Sequence, residues 1–265
     1  MVCHWGWGEY LRTGTVTGWL RNLGLRNLTE REEFFGEEDK VIGYHDFSGS
    51  GIVHLTGGIT ALVGCIFIGA RKGRFLTEEG KLRAVVPIPG HSVPITFIGG
   101  FTLLFGFLAF NAGAEVNIYL LKQQYLLTTK LQFIGFIFFN PILYFKIQLT
   151  VTEPQDVQKI GRILHTTLAG ACSGGLGVLL FNKVIQRNKQ WTFSLILNGS
   201  LVGVVAQCAG CDKYYIGSSL IIGIIAAMVY LAISKAMLML QLDDPLDAVA
   251  VHAGGGNTDS NFILF

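Results

Sequence analysis

Uncharged apolar segments of membrane-spanning length recur along this chain of 265 residues. Five of them are each about 20 residues long, which is the length that a helix needs to cross a bilayer core. These are Gly51–Ala70, Ser92–Ala114, Ile163–Asn182, Trp191–Cys211 and Tyr214–Ser234. A sixth segment, Pro245–Gly256, begins in the same way but runs into the polar sequence NTDSNFILF. We expect its helix to be too short to cross fully.

The composition indicates the same class of protein. Hydrophobic residues make up 51% of the chain and charged residues only 14%, whereas soluble domains are about 25% charged. The 34 glycines, many of them inside the apolar segments, favour close helix packing in lipid. The sequence therefore predicts an all-α, polytopic membrane helix bundle surrounded by lipid. A net charge of +2 is too small to indicate a nucleic-acid partner.

Basic residues predict how the chain is oriented. Arg71–Arg83 carries five Lys or Arg residues and Lys183–Lys189 carries three, and both stretches should be cytoplasmic by the positive-inside rule. Two crossings separate them, which is consistent with one shared side. Met1–Asp46 is then an extracellular or interfacial segment. Leu131–Phe145 is apolar but short and contains Asn140-Pro141, so we expect it to lie outside the bundle without spanning.

Two short motifs are interpreted as helix ends. Cys208 and Cys211 have CxxC spacing, but no second ligand pair accompanies them, so they do not predict a zinc site. Asp243-Asp244-Pro245 is typical of a helix N-terminus, where acidic residues complement the dipole and proline suits the first turn. Asp247 is expected one turn inside that helix, where it would tie the helix to a neighbour.

Two histidines in these segments carry the most chemical information. His54 lies in the first segment and His252 in the sixth, and each follows a valine and precedes glycine within a few residues. Ionisable groups inside membranes usually face a cavity or one another, and two neutral imidazoles satisfy each other as donor and acceptor. We therefore predict ring nitrogens roughly 2.7–3.5 Å apart. Histidines that only pack or link helices remain an alternative.

A second alternative is an intramembrane metalloenzyme that uses His54, His252 and an aspartate. A catalytic metal site usually has three protein ligands, and the third is not evident in the sequence.

Four segments together resemble the ammonium transporter family, in its Amt branch. They are DFSGSGIVHLTGGITALVG, ARKGRF, GFLAFNAG and DDPLDAVAVHAGGG, and the similarity runs from about Trp5 to Gly256. The resemblance implies a fold of eleven transmembrane helices in two inverted halves, assembled as a trimer with one pore per subunit. This chain resembles the fifth to tenth helices, without the first four and the last. The expected architecture is thus a partial ammonium-transporter fold.

The resemblance also assigns expected roles to residues. The family's twin pore histidines match His54 and His252, the inner aromatic of its outer gate matches Phe110, and Phe107 stands where tryptophan is frequent. Ala114 stands where the family commonly has a serine that helps to recruit the cation.

Three further residues are expected to be structural supports rather than ligands: Asp46, Asp247 and Asn111. The transporter domain should cover residues 47–256. It is interrupted near residues 119–152 by an atypical stretch and followed by an atypical tail at residues 257–265.

The implied function is ammonium transport across the cell membrane by a multi-pass protein whose N-terminal segment is outside. Ammonium or methylammonium would be recruited at the aromatic gate. Ammonia, with or without a relayed proton, would then pass the histidines. Neither an enzymatic activity, a metal nor a cofactor is expected. A non-conducting truncated or partner subunit is the alternative, and the 265-residue chain is not expected to transport alone, because half of the pore wall would be absent.

Overall fold

The computed structural model describes residues 46–78, 81–114, 154–184 and 193–262. Two π-helical turns, six α-helices and one β-hairpin are formed in these ranges. In chain order they are π1 (Ser50–Leu55), α1 (Thr56–Ile68), β1 (Phe75–Glu78), β2 (Lys81–Val85), α2 (Val93–Gly113), α3 (Pro154–Val184), α4 (Phe193–Val205), α5 (Ile216–Met239), π2 (Val249–Ala253) and α6 (Gly254–Phe262).

Four helices in the described ranges are long and apolar enough to cross a membrane. They are Ser50–Ile68, Val93–Gly113, Gln158–Val184 and Ile216–Met239, and they agree with four of the five predicted spans. The fold is thus a mostly helical membrane bundle, as the sequence predicts. The hairpin of β1 and β2, which are antiparallel, follows α1 and was not predicted.

The expected span Trp191–Cys211 is wrong as a single helix. Helix α4 ends at Val205, and residues 206–213 form consecutive turns, of which residues 206–212 are buried. The backbone of these turns binds other parts of the chain: Phe47 N–H donates to the Ala209 carbonyl at 2.9 Å and Ser48 N–H to the Cys208 carbonyl at 2.6 Å. Irregular backbone at membrane depth is tolerated where protein surrounds it.

Small residues bring α3 and α4 into contact. A side chain added at Gly174 would meet the Gly199 carbonyl oxygen at 2.3 Å, and one added at Gly203 would meet the Gly170 carbonyl oxygen at 2.0 Å. Both helices carry a GxxxG spacing, which allows such close backbone approach in lipid. Together with α5, these helices form the main core, whose largest fully buried side chain is Tyr230.

The sixth segment forms a short helix that is not among the four described helices long enough to cross, as expected, but its start and its end differ from the prediction. Pro245 lies in a turn, and the helical structure begins with π2 rather than in a first turn at Pro245. The helix also continues beyond Gly256 to Phe262. Its polar residue Asp259 is fully buried, and accepts hydrogen bonds from Ala209 N–H at 2.5 Å and from the Tyr214 hydroxyl at 2.8 Å. Lipid offers no hydrogen-bond donor to a carboxyl group, but Ala209 and Tyr214 do. The polar sequence therefore does not end the helix.

Several predictions fall on residues outside the described ranges. They concern Met1 to His45, the stretch Tyr119–Thr152 with its segment Leu131–Phe145, most of Lys183–Lys189, and residues 263–265.

Candidate pore site

His54 and His252 both lie in π-helical turns. His54 is in π1, and His252 is in π2. Each turn follows an aspartate that caps it: Asp46 accepts from the N–H groups of Ser50, Gly51 and Ile52 at 2.5–3.1 Å, and Asp244 accepts from Val249 N–H at 2.7 Å. Carboxylates stabilise the unpaired N–H groups and the positive dipole end at a helix start. Single π-helical turns are rare and occur frequently at functional sites.

The two imidazoles form a direct pair. Their Nδ1 atoms are 3.2 Å apart, within the range that the sequence predicted, and their ring planes are 7° from parallel. His54 is buried, with 7% of its surface exposed, and His252 is half-buried. Within the described residues, His54 Nε2 is buried and has no hydrogen-bond partner.

This pairing determines which Nε2 atom is a hydrogen-bond donor and which is an acceptor. One Nδ1 must carry the proton and the other must accept it. The imidazole that donates at Nδ1 therefore has a lone pair at Nε2, and the one that accepts at Nδ1 has an N–H at Nε2. In either tautomeric arrangement, the pair presents one acceptor and one donor. The two roles are exchanged when the shared proton moves to the other Nδ1 while one Nε2 gains a proton and the other Nε2 loses one.

Aromatic rings surround His54. The Phe107 ring centroid is 5.4 Å from that of His54 and tilted by 30°, and the Phe110 centroid is 5.8 Å away, edge to face at 63°. Phe107 and Phe110 also contact each other edge to face, at 6.0 Å. Phe107 is buried, whereas Phe110 is 41% exposed. The two aromatics named from the sequence thus lie beside the histidine pair.

Glycines allow the two histidine-bearing helices to cross closely. A side chain at Gly58 would meet the Ala253 backbone nitrogen at 2.2 Å, and one at Gly256 would meet the Ser50 carbonyl oxygen at 2.6 Å. Gly58 is four residues after His54, and Ala253 directly follows His252. The crossing point therefore lies next to the imidazoles and fixes the distance between their helices.

Asp247 connects the start of π2 to the neighbouring helices, as expected, but it lies before the helix and not one turn inside it. Its carboxylate accepts from the Tyr230 hydroxyl at 2.7 Å, the Ser234 hydroxyl at 3.0 Å and the Asn198 amide at 3.4 Å. Its φ is +57°, a left-handed conformation that aspartate tolerates better than most residues. These bonds hold the backbone turn that leads to His252.

Asp243 has a different partner from the one predicted. Instead of complementing a helix dipole, its buried carboxylate accepts from the Arg71 backbone N–H at 3.0 Å and from Arg71 Nε and Nη2 at 2.6 and 2.9 Å. Arg74 Nε lies 3.3 Å from Asp243 Oδ1, the oxygen that also accepts from Arg71 Nη2. Hydrogen bonds and charge from Arg71 lower the pKa of the Asp243 carboxyl to about 2. This ion pair joins the loop after α1 to the segment before π2.

Asn111 is fully buried, directly after Phe110. Its amide group donates to the Thr167 hydroxyl at 3.0 Å and its amide oxygen accepts from the Cys208 thiol at 3.3 Å. Sequence reasoning missed both partners, and it also missed Asp259 and the arginines that bind Asp243. The signal for these arginines was the motif ARKGRF, which indicated orientation and family resemblance but not a partner for Asp243.

The sequence model of the Ammonium Transporter Family matches residues 1–132 and 123–258 of this chain. The chain belongs to the ammonium transporter family. It is 33% identical over 257 residues to a protein of Caenorhabditis elegans named putative ammonium transporter 1, and 29% identical over 256 residues to ammonium transporter 1 member 4 of Arabidopsis thaliana. These alignments cover 97% of this chain but only 38% and 42% of the two relatives.

Solved structures show the same fold for this ammonium transporter family member. A protein described as Sensor Amt Protein superposes with a TM-score of 0.67 at 24% identity, and covers 97% of this chain and 48% of its own. Mep2 of Candida albicans gives a TM-score of 0.63 at 22% identity, over 98% and 42% of the two chains. The chain thus spans less than half of the relatives that it matches.

The family membership bears on the metalloenzyme alternative. The matched family is one of transporters and not of enzymes. Among the described residues, no group of three or more His, Cys, Asp or Glu side chains is placed to hold a metal ion. The chain is therefore a multi-pass membrane protein of a transporter family.

Proposed function

We propose that this chain forms part of an ammonium-conducting pore in which His54 and His252 line the path. The observation that carries the proposal is the Nδ1–Nδ1 contact of 3.2 Å between two imidazoles that lie inside apolar helices. This pair offers one hydrogen-bond donor and one acceptor beside the apolar rings of Phe107 and Phe110. Ammonia has both N–H groups and a lone pair, and so matches this pattern.

The neighbouring aromatic rings would attract ammonium to the pore. Phe110 is partly exposed and contacts His54 edge to face, and the buried Phe107 contacts both of these rings. Ring faces attract a cation by about 0.5–2 kcal/mol, which would favour ammonium at the mouth of the pore. Ala114 lacks the hydroxyl that the family commonly has nearby, so the aromatics carry more of this role.

Farther along the path, the apolar surroundings would make the pore selective for ammonium over other cations. An apolar pore disfavours the charged form, and ammonium can release a proton and continue as ammonia. Potassium has no proton to release and would have to cross as an ion. Asp46 and Asp247 support the path by holding the backbone before each histidine, and Asn111 supports the helix that carries the aromatics.

Methylammonium uptake tests this function in yeast cells that lack their own ammonium transporters. The chain would replace the aligned part of the C. elegans relative, which supplies the remaining length. His54→Ala and His252→Ala should each reduce uptake at least about tenfold, because the partner imidazole loses its hydrogen bond in a low-dielectric site. His165→Ala is the matched control, since His165 is exposed and its described hydrogen bond, to the Gly161 carbonyl, lies within its own helix.

Full uptake by both pore variants would contradict the proposal.

The 265-residue chain expressed alone should give no uptake. Only 17% of the most apolar stretch of Ser50–Ile68 and 11% of that of Val93–Gly113 are buried, compared with 50% of that of Gln158–Val184. The helices around His54 and Phe110 thus present mostly exposed apolar surface, whereas a pore has to be enclosed by protein.

A further inference from the structure

Helix α2 has one narrow buried face. Its buried residues are Gly100, Phe107, Asn111 and Ala112, while the large apolar side chains elsewhere on the helix, such as Phe101 and Phe105, are exposed. Asn111 is the polar member of this face and is fully buried. The exposed apolar residues can face lipid in any direction, so they do not determine how α2 is rotated about its axis.

The amide of Asn111 does determine this rotation. Its Nδ2 donates to Thr167 Oγ1 at 3.0 Å, and its Oδ1 accepts from Cys208 Sγ at 3.3 Å. Thr167 belongs to α3 and Cys208 to the buried turns after α4, so the amide joins three elements. An amide left without partners in an apolar interior costs several kcal/mol. Rotating α2 away from this arrangement is therefore unfavourable.

The rotation of α2 about its axis also determines the direction in which the Phe110 side chain points. Residues four apart lie on nearly the same face, and adjacent residues are about 100° apart. Phe107 therefore shares the buried face of Asn111, whereas Phe110 points sideways from it, towards His54 at 5.8 Å. Phe110 itself is 41% exposed, so its own packing holds it weakly.

We infer that Asn111, Thr167 and Cys208 form a positioning network that directs the Phe110 ring towards His54 and thereby sets the affinity of the aromatic gate for ammonium. This inference rests on the function proposed above. Among the described residues, the side chains of Thr167 and Cys208 form no hydrogen bond with either histidine, and it is their bonds to Asn111 that link them to the helix carrying Phe110.

The test uses the full 265-residue chain in lipid nanodiscs, with isotope-labelled Phe and His rings. The first measurement is the nuclear Overhauser effect between the ring protons of Phe110 and His54. The second is the shift of the Phe110 ring signals on titration with ammonium chloride, with sodium chloride as the reference.

Thr167→Val removes the oxygen that accepts from Asn111. We expect the Phe110–His54 Overhauser effect to be lost and the apparent dissociation constant for ammonium to rise about 2- to 30-fold, the range of one cation–π contact. Thr167→Ser keeps the hydroxyl and should restore both values. Thr166→Val is the matched control: Thr166 is the adjacent residue and equally buried, but its hydroxyl donates to carbonyls, including that of Cys211, and not to Asn111.

Cys208→Ala tests the other end of the network, and Cys208→Ser retains a donor there. If Thr167→Val does not fold, Cys208→Ala decides the question, because it removes only the weaker thiol bond. An unchanged Overhauser effect in the folded Thr167→Val or Cys208→Ala chain would overturn the inference, and so would an equal loss in Thr166→Val. Absence of any ammonium response in the unmodified chain would instead contradict the proposed gate, while the Overhauser effect would still decide whether the network orients Phe110.

Discussion

At the scale of single residues, Gly58 is the position at which the histidine pair is most sensitive to added volume. Gly58→Ala would place a methyl group 2.2 Å from the Ala253 nitrogen and 2.7 Å from its Cα. Because backbone cannot move aside cheaply, we expect the free energy of unfolding to fall by about 1–3 kcal/mol. Thermal unfolding of the purified chain in detergent measures this change.

Gly57 provides the control for this substitution. It precedes Gly58 in the same helix, but a side chain there would meet no atom within 4 Å. Gly57→Ala should therefore be neutral or stabilise the chain by about 0.5–1 kcal/mol, the usual gain from replacing glycine inside a helix. Equal effects of the two substitutions would show that the close crossing at Ala253 is not formed.

At the scale of structural elements, the ion pair of Asp243 with Arg71 and Arg74 fastens the loop after α1 to the segment before π2. The pKa of Asp243 is held at about 2, below the ordinary value of 3.8. The unfolded chain therefore binds more protons between these values, and stability rises with pH through this window. The contribution is complete above about pH 5 and is lost as the pH falls through 2.

Asp243→Asn should accordingly lower the thermal midpoint at pH 5 to 7, and the difference from the unmodified chain should shrink towards pH 2. Arg71→Gln should remove most of the same pH-dependent step, because Arg71 supplies the two shortest side-chain contacts. Thermal unfolding across this pH range measures both variants. An Asp243→Asn chain as stable as the unmodified one at pH 7 would mean that the two segments are held together by other contacts.

The positions at which the helices begin and end show what the sequence could and could not predict. Long uncharged segments predicted α1, α2, α3 and α5, because lipid leaves the backbone few alternatives to a helix. The end of α4 at Val205 was missed because residues 206–211 carry no charge and so extend the uncharged segment, and because their partners, Ser48 and Asp259, are distant in sequence. The sequence NTDSNF was read as a polar tail for the same reason: the bonds that satisfy Asp259 come from Ala209 and Tyr214.

At the scale of the whole molecule, the site was more predictable than its supports. Two imidazoles in apolar helices need each other, which predicted the contact between His54 and His252 without any knowledge of the fold. Asn111 was named as a support, but Thr167 was not, since threonine is common at helix interfaces in membranes. Cys208 was considered only for its CxxC spacing, which does not indicate Asn111 as a partner. Asp243 was assigned to a helix dipole because its arginine partners lie about 170 residues earlier.

The hydrogen bond between His54 and His252 is the feature on which the proposed pore depends most directly. Nitrogen NMR of the 265-residue chain in nanodiscs, with labelled histidine, measures it as a coupling between the two Nδ1 nuclei. We predict one such coupling, one protonated and one unprotonated Nε2 within the pair, and loss of the coupling in His252→Ala. Two uncoupled imidazoles, each with the same tautomer as a free histidine in water, would contradict the paired-histidine pore.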